Sequence, residues 1–445
     1  MYTAPKPNSK IIIVGAGCFG LSTAYALSKD KAKEYDIWVF DRGESIPISD
    51  AASTDISKAV RMDYGNNTLY MHLAVEAIDA WKQWNAERAE KKLVPVYHNT
   101  GMLIFSANGQ YAEYEKDNMR SIREAGFGDY IEELNADQLK ERYPYLTDTV
   151  DNGYDIAYAN KVGGWCNSSE SIKHLYGECI QNGVKFVLGN EAGRFEKLQV
   201  DGRHVRGIIT ADKKEHTADR VIVAAGSWTP SVIDMHRQAI ATGQYVIHFS
   251  LSKEDQERMA TFPVWSADVS NTGFYGFPCN ENGILKIAKH STGYLNPSSV
   301  LNQKISVPRT QSTNPNDTIP KSALAEARAF LKKFLPFTDA LDVVYSRVCW
   351  YSDSIDGDFI IAPHPDYDHL IVATGDSGHA MKFLPVIGDK IRDIVEDTDS
   401  QYKQAWAWKK KEAPKGFYDR PLLVKEGDQD IRMATMDELR AYNKD

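Results

Sequence analysis

The strongest constraint on this chain lies near its start, where the β-branched run Ile11–Val14 passes directly into Gly15-Ala16-Gly17-Cys18-Phe19-Gly20. Leu21, Ala24, Tyr25 and Leu27 then begin an apolar helical face, and a second β-rich run, Asp36–Phe40, ends at Asp41. Strand, glycine turn, helix, strand and terminal acid in this order form a dinucleotide-binding fingerprint. Gly15 permits the tight turn, Gly17 lets the backbone approach a pyrophosphate, and Gly20 lets helix pack closely on strand. Cys18 and Phe19 open the helix, whose unpaired N–H groups and positive dipole end suit phosphates. Asp41, followed by Arg42, is placed to accept hydrogen bonds from a ribose diol.

That unit uses a small part of 445 residues, a length that allows two or three domains. Apolar periodicity predicts an amphipathic helix over Leu69–Arg88, with Trp81 and Trp84 in the core, and another over Ser169–Gln181 ended by Asn182-Gly183. Asp201–Thr217 reads as a hairpin, and Arg220–Ala225 as a buried strand leading to a second dinucleotide-facing turn at Gly226. Met259–Lys289, rich in aromatics and turn residues, suggests strands of a separate sheet, and the polar Asn302–Ile319 a loop. Ser322–Leu335 is expected to be a helix closed by Pro336. Leu370–Thr374 reads as one more buried strand, followed by Gly375-Asp376-Ser377-Gly378 and a helix through Val395; the tail after Glu396 is charged and without strong periodicity. Nucleotide-facing pieces separated by other material imply a cofactor domain assembled from 1–90, 155–235 and 340–400. A substrate cover is then built from 91–154 and 236–339, with 401–445 as a tail.

Charge and cysteine content narrow the partners. With 52 Lys+Arg against 61 Asp+Glu, a formal charge of −9 and no basic block, nucleic acid and anionic membranes are disfavoured. The longest apolar runs fall far short of the roughly 18 residues a membrane span needs. Five cysteines, an odd number without metal-ligand spacing, argue for a reducing compartment and against a metal site. The first ten residues hold two lysines and no apolar core, and Asn443-Lys444-Asp445 is not a Ser-Lys-Leu-type address. A cytoplasmic protein is expected, with the peroxisome left open.

Several further stretches resemble the sarcosine oxidase-like flavoprotein amine oxidases, which include monomeric sarcosine, pipecolate, saccharopine and fructosyl amino acid oxidases. The resemblance spans about residues 10–395. Gly15–Gly20 with Asp41 is similar to the family's FAD pyrophosphate and ribose site. Lys58-Ala59-Val60-Arg61-Met62-Asp63-Tyr64-Gly65, preceded by Ser57, resembles a stretch beside the flavin ring and is followed by an active-site tyrosine at Tyr70. Phe274-Tyr275-Gly276-Phe277-Pro278 and Leu285-Lys286 resemble the substrate cover and the lysine over the flavin. Val348-Cys349-Trp350-Tyr351 is similar to the covalent flavin site, and Gly375-Asp376-Ser377-Gly378-His379-Ala380-Met381-Lys382 to the flavin N1 edge. Lys58 stands where sarcosine oxidases tend to carry arginine, so the charge stays but the bidentate fork is lost.

The resemblance implies an α/β protein: an FAD-binding Rossmann-like domain of the glutathione-reductase type, interleaved with an α+β substrate domain on a mixed sheet. It implies FAD, covalently held through Cys349, and an oxidase of a secondary amino acid that passes hydride to flavin and reduces O2 to H2O2. Arg61 and Lys382 are the expected carboxylate anchors, the former with a fork suited to bidentate recognition. Lys286 is the expected oxygen-activating cation, with Lys289 a solvated neighbour. Tyr70, Tyr275 and Tyr351 are expected in the substrate cavity, and His290 beside amine or flavin. His379 is expected to hold the turn that aims Gly378, and a helix starting near Lys382 to point its positive end at the flavin. A monomer with a small-molecule substrate and O2 is the expected assembly. An FAD-linked dehydrogenase with another acceptor, and a non-catalytic FAD-binding protein, are the alternatives that Lys286 and Cys349 speak against.

Overall fold

In the computed structural model, which describes residues 2–441, the Lys10–Val14 strand lies between Arg220–Val223 and Asp36–Asp41 and runs parallel to both. Leu370–Thr374 extends the sheet on one side and Lys185–Leu188 on the other, and Ile360–Pro363 closes the first edge antiparallel. Alternate side chains of the central strand go to different cores. Ile11 and Ile13 join the helices Cys18–Lys29, Ser168–Gln181 and Ile387–Val395, while Ile12 and Val14 meet Phe195, Val205 and Ile208 of a small sheet on the opposite face. Burial on both faces is why these strands read as continuous apolar runs.

The second large sheet has eight strands, in the order Val343–Ser354, Ala239–Ser250, Ile284–Lys289, Phe274–Gly276, Val264–Ala267, Met102–Ser106, Ile156–Asn160 and Ile131–Leu134. One pairing, Val264–Ala267 with Met102–Ser106, is parallel and the rest are antiparallel. The fold is thus mixed α/β with two mixed sheets. One face of this sheet, carrying Phe105, Trp265, Leu285 and Ile287, packs on the Lys321–Phe334 helix through Leu324, Ala327 and Phe334. The other face, with Ile104, Ser266, Tyr275 and Lys286, turns toward the first sheet. Ile156–Asn160 and Val343–Ser354, grouped by sequence with the dinucleotide segments, are ladder members here. At its end the Val343–Ser354 strand ties the two sheets together: the Ser352 amide donates to Asp376 at 2.6 Å and the Ser354 amide to Ser377 at 3.2 Å.

The predicted helices form as Thr68–Glu90, Ser168–Gln181 and Lys321–Phe334, the first two capped by Asn67 and Asn167 side chains. Three local expectations change. The hairpin is a three-stranded meander, Phe195–Asp201, His204–Thr210 and Glu215–Thr217. The loop after 302 begins with a strand, Gln303–Ser306, paired with Pro297–Val300. No helix starts at Lys382: a single tight turn, Met381–Phe383, precedes the Ile387–Val395 helix, because Pro385 has no N–H to give and its ring disfavours a continuous helix. The charged tail, though without periodicity, is packed on the rest of the chain. Trp406 is wholly buried, Arg420 pairs with Asp353 at 2.6 Å, and backbone bridges join Leu295 to Leu422 and Pro320 to Met433. The extreme C-terminal Asn443-Lys444-Asp445 lies outside the described residues.

Candidate active site

A cavity of about 540 Å³ runs between the two sheets, from Arg42 and Trp228 at one end to Arg61, Tyr158 and Ile104 at the other. The glycine turn lines it at Gly15, Gly17, Cys18 and Phe19. Gly15 has φ +110°, and a Cβ there would lie 2.3 Å from the Ala224 carbonyl oxygen. A Cβ on Gly20 would lie 1.8 Å from the Gly15 carbonyl oxygen, so only glycine allows this helix to sit on this strand. The Cys18–Lys29 helix has no side-chain cap and no acid in its first turn, which leaves its N–H groups open to an anion. Asp41 Oδ2 accepts from the Ala16 amide at 2.8 Å and Oδ1 from the Gly43 amide at 2.9 Å, so the acid braces the turn while facing the cavity. Arg42, paired with Asp50 at 2.6 Å, stacks over Trp228, and Gly226 (φ +54°) lets the chain turn beside them. An uncapped helix end beside a glycine cradle and an aromatic end wall fit a dinucleotide.

At the opposite end two cations enter the wall. Arg61 donates to the Asp63 carbonyl and lies 3.4 Å from the Tyr114 hydroxyl. Lys382 Nζ donates to the Tyr64 hydroxyl at 2.9 Å and to the His379 carbonyl at 2.8 Å. Among the described residues neither is in an ion pair. Both cations also lie over the Tyr64 ring, Arg61 at 5.4 Å and Lys382 at 5.2 Å. Burial, with Arg61 beside it, holds the Lys382 ammonium well below the usual lysine range. His379 is held well below the usual histidine range by burial and by Lys382, so its ring is neutral. Its Nε2 lies 3.0 Å from the Gly357 carbonyl, which can only accept, so that nitrogen carries the proton. Nδ1 must then accept from the Tyr64 hydroxyl 3.0 Å away, leaving the Tyr64 oxygen free to accept from Lys382. One backbone carbonyl thereby sets the direction of the whole chain of hydrogen bonds.

The third feature is a buried carboxylate, Asp55. Lys286 Nζ donates to Asp55 Oδ2 at 2.6 Å and to the Ser57 carbonyl at 2.5 Å; Lys58 Nζ is 3.2 Å and Arg347 3.9 Å from the same oxygen. His248 Nε2 lies 4.0 Å from Oδ1. Burial alone would raise the Asp55 carboxyl, but Lys286, Lys58 and Arg347 outweigh it and hold it well below its usual range. Lys286, only 1% exposed, is pushed down to about 8 by burial, which Asp55 partly offsets. Lys58 links this cluster to Cys349, whose Sγ lies 3.9 Å from its Nζ. Asp376, in the cavity wall, is raised to about 7 by burial.

Most of the expected site residues meet in this one cavity: Tyr275, Tyr351 and His290 line it with Lys58, Asp376, Gly378 and His379. Burial raises both phenols and lowers His290. Gly378 (φ +73°) must lack a side chain, since a Cβ would lie 2.2 Å from the Tyr351 ring. Lys286, Cys349, Ser57 and Gly20 sit behind the wall rather than in it; Lys286 is drawn back to Asp55, under the Phe277 ring. Tyr70 does not reach the cavity. It is 2% exposed, and its hydroxyl accepts from the Phe359 amide and the Trp406 indole, each at 3.0 Å, so it packs behind Tyr64 as core. Lys289 pairs with Glu326 instead of standing free in water. Asp55 and Tyr64 were not singled out by sequence. The available signal was an acid three positions before Lys58, and a tyrosine inside the quoted 58–65 stretch.

The chain matches the FAD dependent oxidoreductase family (DAO) over residues 10–394. It belongs to that family and is a flavin-dependent oxidoreductase. It is 31% identical over 416 residues to an L-saccharopine oxidase of Schizosaccharomyces pombe, covering 90% of this chain and 93% of that protein. It is 24% identical to a monomeric sarcosine oxidase of Bacillus sp. (strain B-0618), covering 86% and 91%. Among solved structures, a modified fructosyl peptide oxidase from Aspergillus nidulans in complex with FSA superposes with a TM-score of 0.84 at 26% identity, covering 94% of this chain and 96% of that one. The dinucleotide that fits the cavity is therefore FAD. Among the described residues no helix is long and apolar enough to cross a membrane.

Proposed function

We propose that this enzyme oxidises a secondary, N-substituted amino acid with O2, releasing H2O2. The observation that carries the reading is the pair Arg61 and Lys382, two cations lining the cavity without a carboxylate partner, both within 5.4 Å of the Tyr64 ring. A substrate carboxylate completes them. FAD, held by the Gly15–Gly20 turn and the Asp41–Arg42 end, supplies the hydride acceptor and the route of two electrons to O2. Hydride loss from the carbon bonded to nitrogen gives an imine, which water hydrolyses to a carbonyl compound and an amine.

The chain's own residues divide the remaining work. The carboxylate anchor orients the C–N bond, and Tyr275, Tyr351 and His290 close the cavity around the amine. Burial keeps His290 neutral, so it offers the amine a lone pair rather than a competing charge. Lys286, charged below about pH 8, stabilises the negative charge that develops on O2. Cys349, with the Lys58 ammonium beside its sulfur, is the attachment point for the flavin. The two sheets divide the labour as an FAD-binding domain and an interleaved substrate domain. All the residues assigned a role come from one chain, as a monomer requires. The cysteines are free, which supports a reducing compartment such as the cytoplasm. A peroxide-release screen over N-substituted amino acids tests the reading: at least one should yield H2O2 in step with O2 consumed. Flavin reduction without O2 uptake would instead favour a dehydrogenase.

A further inference from the structure

The register of the eight-stranded sheet places four residues in one transverse row over the substrate end. Tyr158 pairs with Ile104, Ile104 with Ser266, and Ser266 with Tyr275, all four in the cavity wall. Met102 lies two residues from Ile104 on the same strand face, and Val269 follows the row at its edge. None of the six carries a charge. Most polar atoms nearby are already engaged; the Ser266 hydroxyl and Asn118 Nδ2, which make no hydrogen bond among the described residues, are the open ones. Tyr158 donates to Asp63 at 2.8 Å, Asn118 Oδ1 accepts from the Gly65 amide, and the Tyr114 hydroxyl donates to the Asp63 carbonyl at 3.2 Å. Asp63 itself is filled by Tyr158 and by Asn160 Nδ2 at 2.9 Å. With Arg61 and Lys382 assigned to one carboxylate, no unpaired wall cation remains among the described residues at this end for a second, since Lys58 is held by Asp55 at 3.2 Å, and Asp63 is not free for a distal ammonium. A sugar's hydroxyls would also find few open partners.

Resting on the secondary-amine reading above, we infer that the substrate is a monocarboxylate whose N-substituent or side chain, where it lies under this row, is uncharged and mainly apolar. N-alkyl derivatives of apolar amino acids and cyclic imino acids have this chemistry; a dicarboxylate conjugate of two amino acids and a glycated amino acid do not. Burying a second carboxylate here without a partner opposes binding, and an unpaired polyol loses its water contacts with little return.

The test is anaerobic bleaching of the flavin in the purified holoenzyme, mixed at equal concentration with N-methyl-L-leucine, L-pipecolate, saccharopine and fructosyl-valine. One of the first two should bleach it at least roughly tenfold faster than either of the last two. Saccharopine or fructosyl-valine bleaching as fast or faster overturns the inference while leaving the amine-oxidase reading intact. No bleaching by any of the four overturns that reading, and the inference falls with it. Val269→Lys, at a half-buried edge position, adds the missing cation. It should narrow the gap between saccharopine and the apolar substrates at unchanged flavin content, and an unchanged ratio also counts against the inference.

Discussion

Replacing Lys286 by methionine removes the one charge proposed to act on O2, and the structure sets the size of the effect. Lys286 Nζ sits 4.8 Å from the centroid of the Phe277 ring, which lines the cavity. A dioxygen in van der Waals contact with the far side of that ring is about 8 Å from the ammonium. At an effective dielectric near 20, a full charge there gains about 2 kcal/mol, or roughly thirtyfold in rate. An approach to about 4 Å would give about 4 kcal/mol and roughly a thousandfold. Stopped-flow reoxidation of Lys286→Met, with flavin reduction as the internal control, therefore reports whether Lys286 stays paired with Asp55 or swings toward the cavity. The pH dependence has a definite sign. Burial lowers this lysine to about 8, so the ammonium is present below that pH and lost above it. Reoxidation of the wild type should slow as pH rises through about 8, and that of Lys286→Met should be flat. A change in reoxidation below about threefold in the variant, or a flat wild-type profile, would refute the role.

Three more outcomes are expected. Arg61→Ala should raise the substrate KM by roughly ten- to a hundredfold, the cost of a charged hydrogen-bonding partner, with flavin content unchanged; an unchanged KM removes Arg61 from the anchor. Acid-denatured wild type should keep its yellow colour in the pellet and Cys349→Ser should release it; free flavin from both would refute a covalent bond at Cys349. Tyr64→Phe should weaken binding of a simple carboxylate such as acetate about tenfold, read from the flavin spectrum. His379→Asn keeps an acceptor near the Nδ1 position and should bind close to wild type, while His379→Leu should match Tyr64→Phe. Equal binding across all three would refute the directed hydrogen-bond chain.

The difference between Arg61 and Tyr70 shows which residues could be located from sequence. Arg61 follows directly from a short strand, Lys58–Val60, so a local pattern fixed its position relative to Lys58. Tyr70 lies on the Thr68–Glu90 helix, and which way that helix face turns depends on Trp406, more than three hundred positions away. Lys286 shows the same limit. Its place on a strand was legible, but its withdrawal behind Phe277 depends on Asp55, on a distant segment. The packing of the tail was not legible because its contacts are made by single residues, Trp406 and Arg420, which leave no periodic trace.

By itself the sequence determined the dinucleotide end, because a glycine turn between strand and helix is a local steric requirement: Gly15 and Gly20 have no room for a Cβ. It also determined the residue types of the site, since buried cations in a family-like order carry their chemistry with them. Tertiary structure alone decided which cations face the cavity, which are neutralised by Asp55, and which uncharged row roofs the substrate end. Those outcomes depend on distance and burial between segments far apart in the chain, and electrostatic free energy is a function of separation in space, not along the sequence.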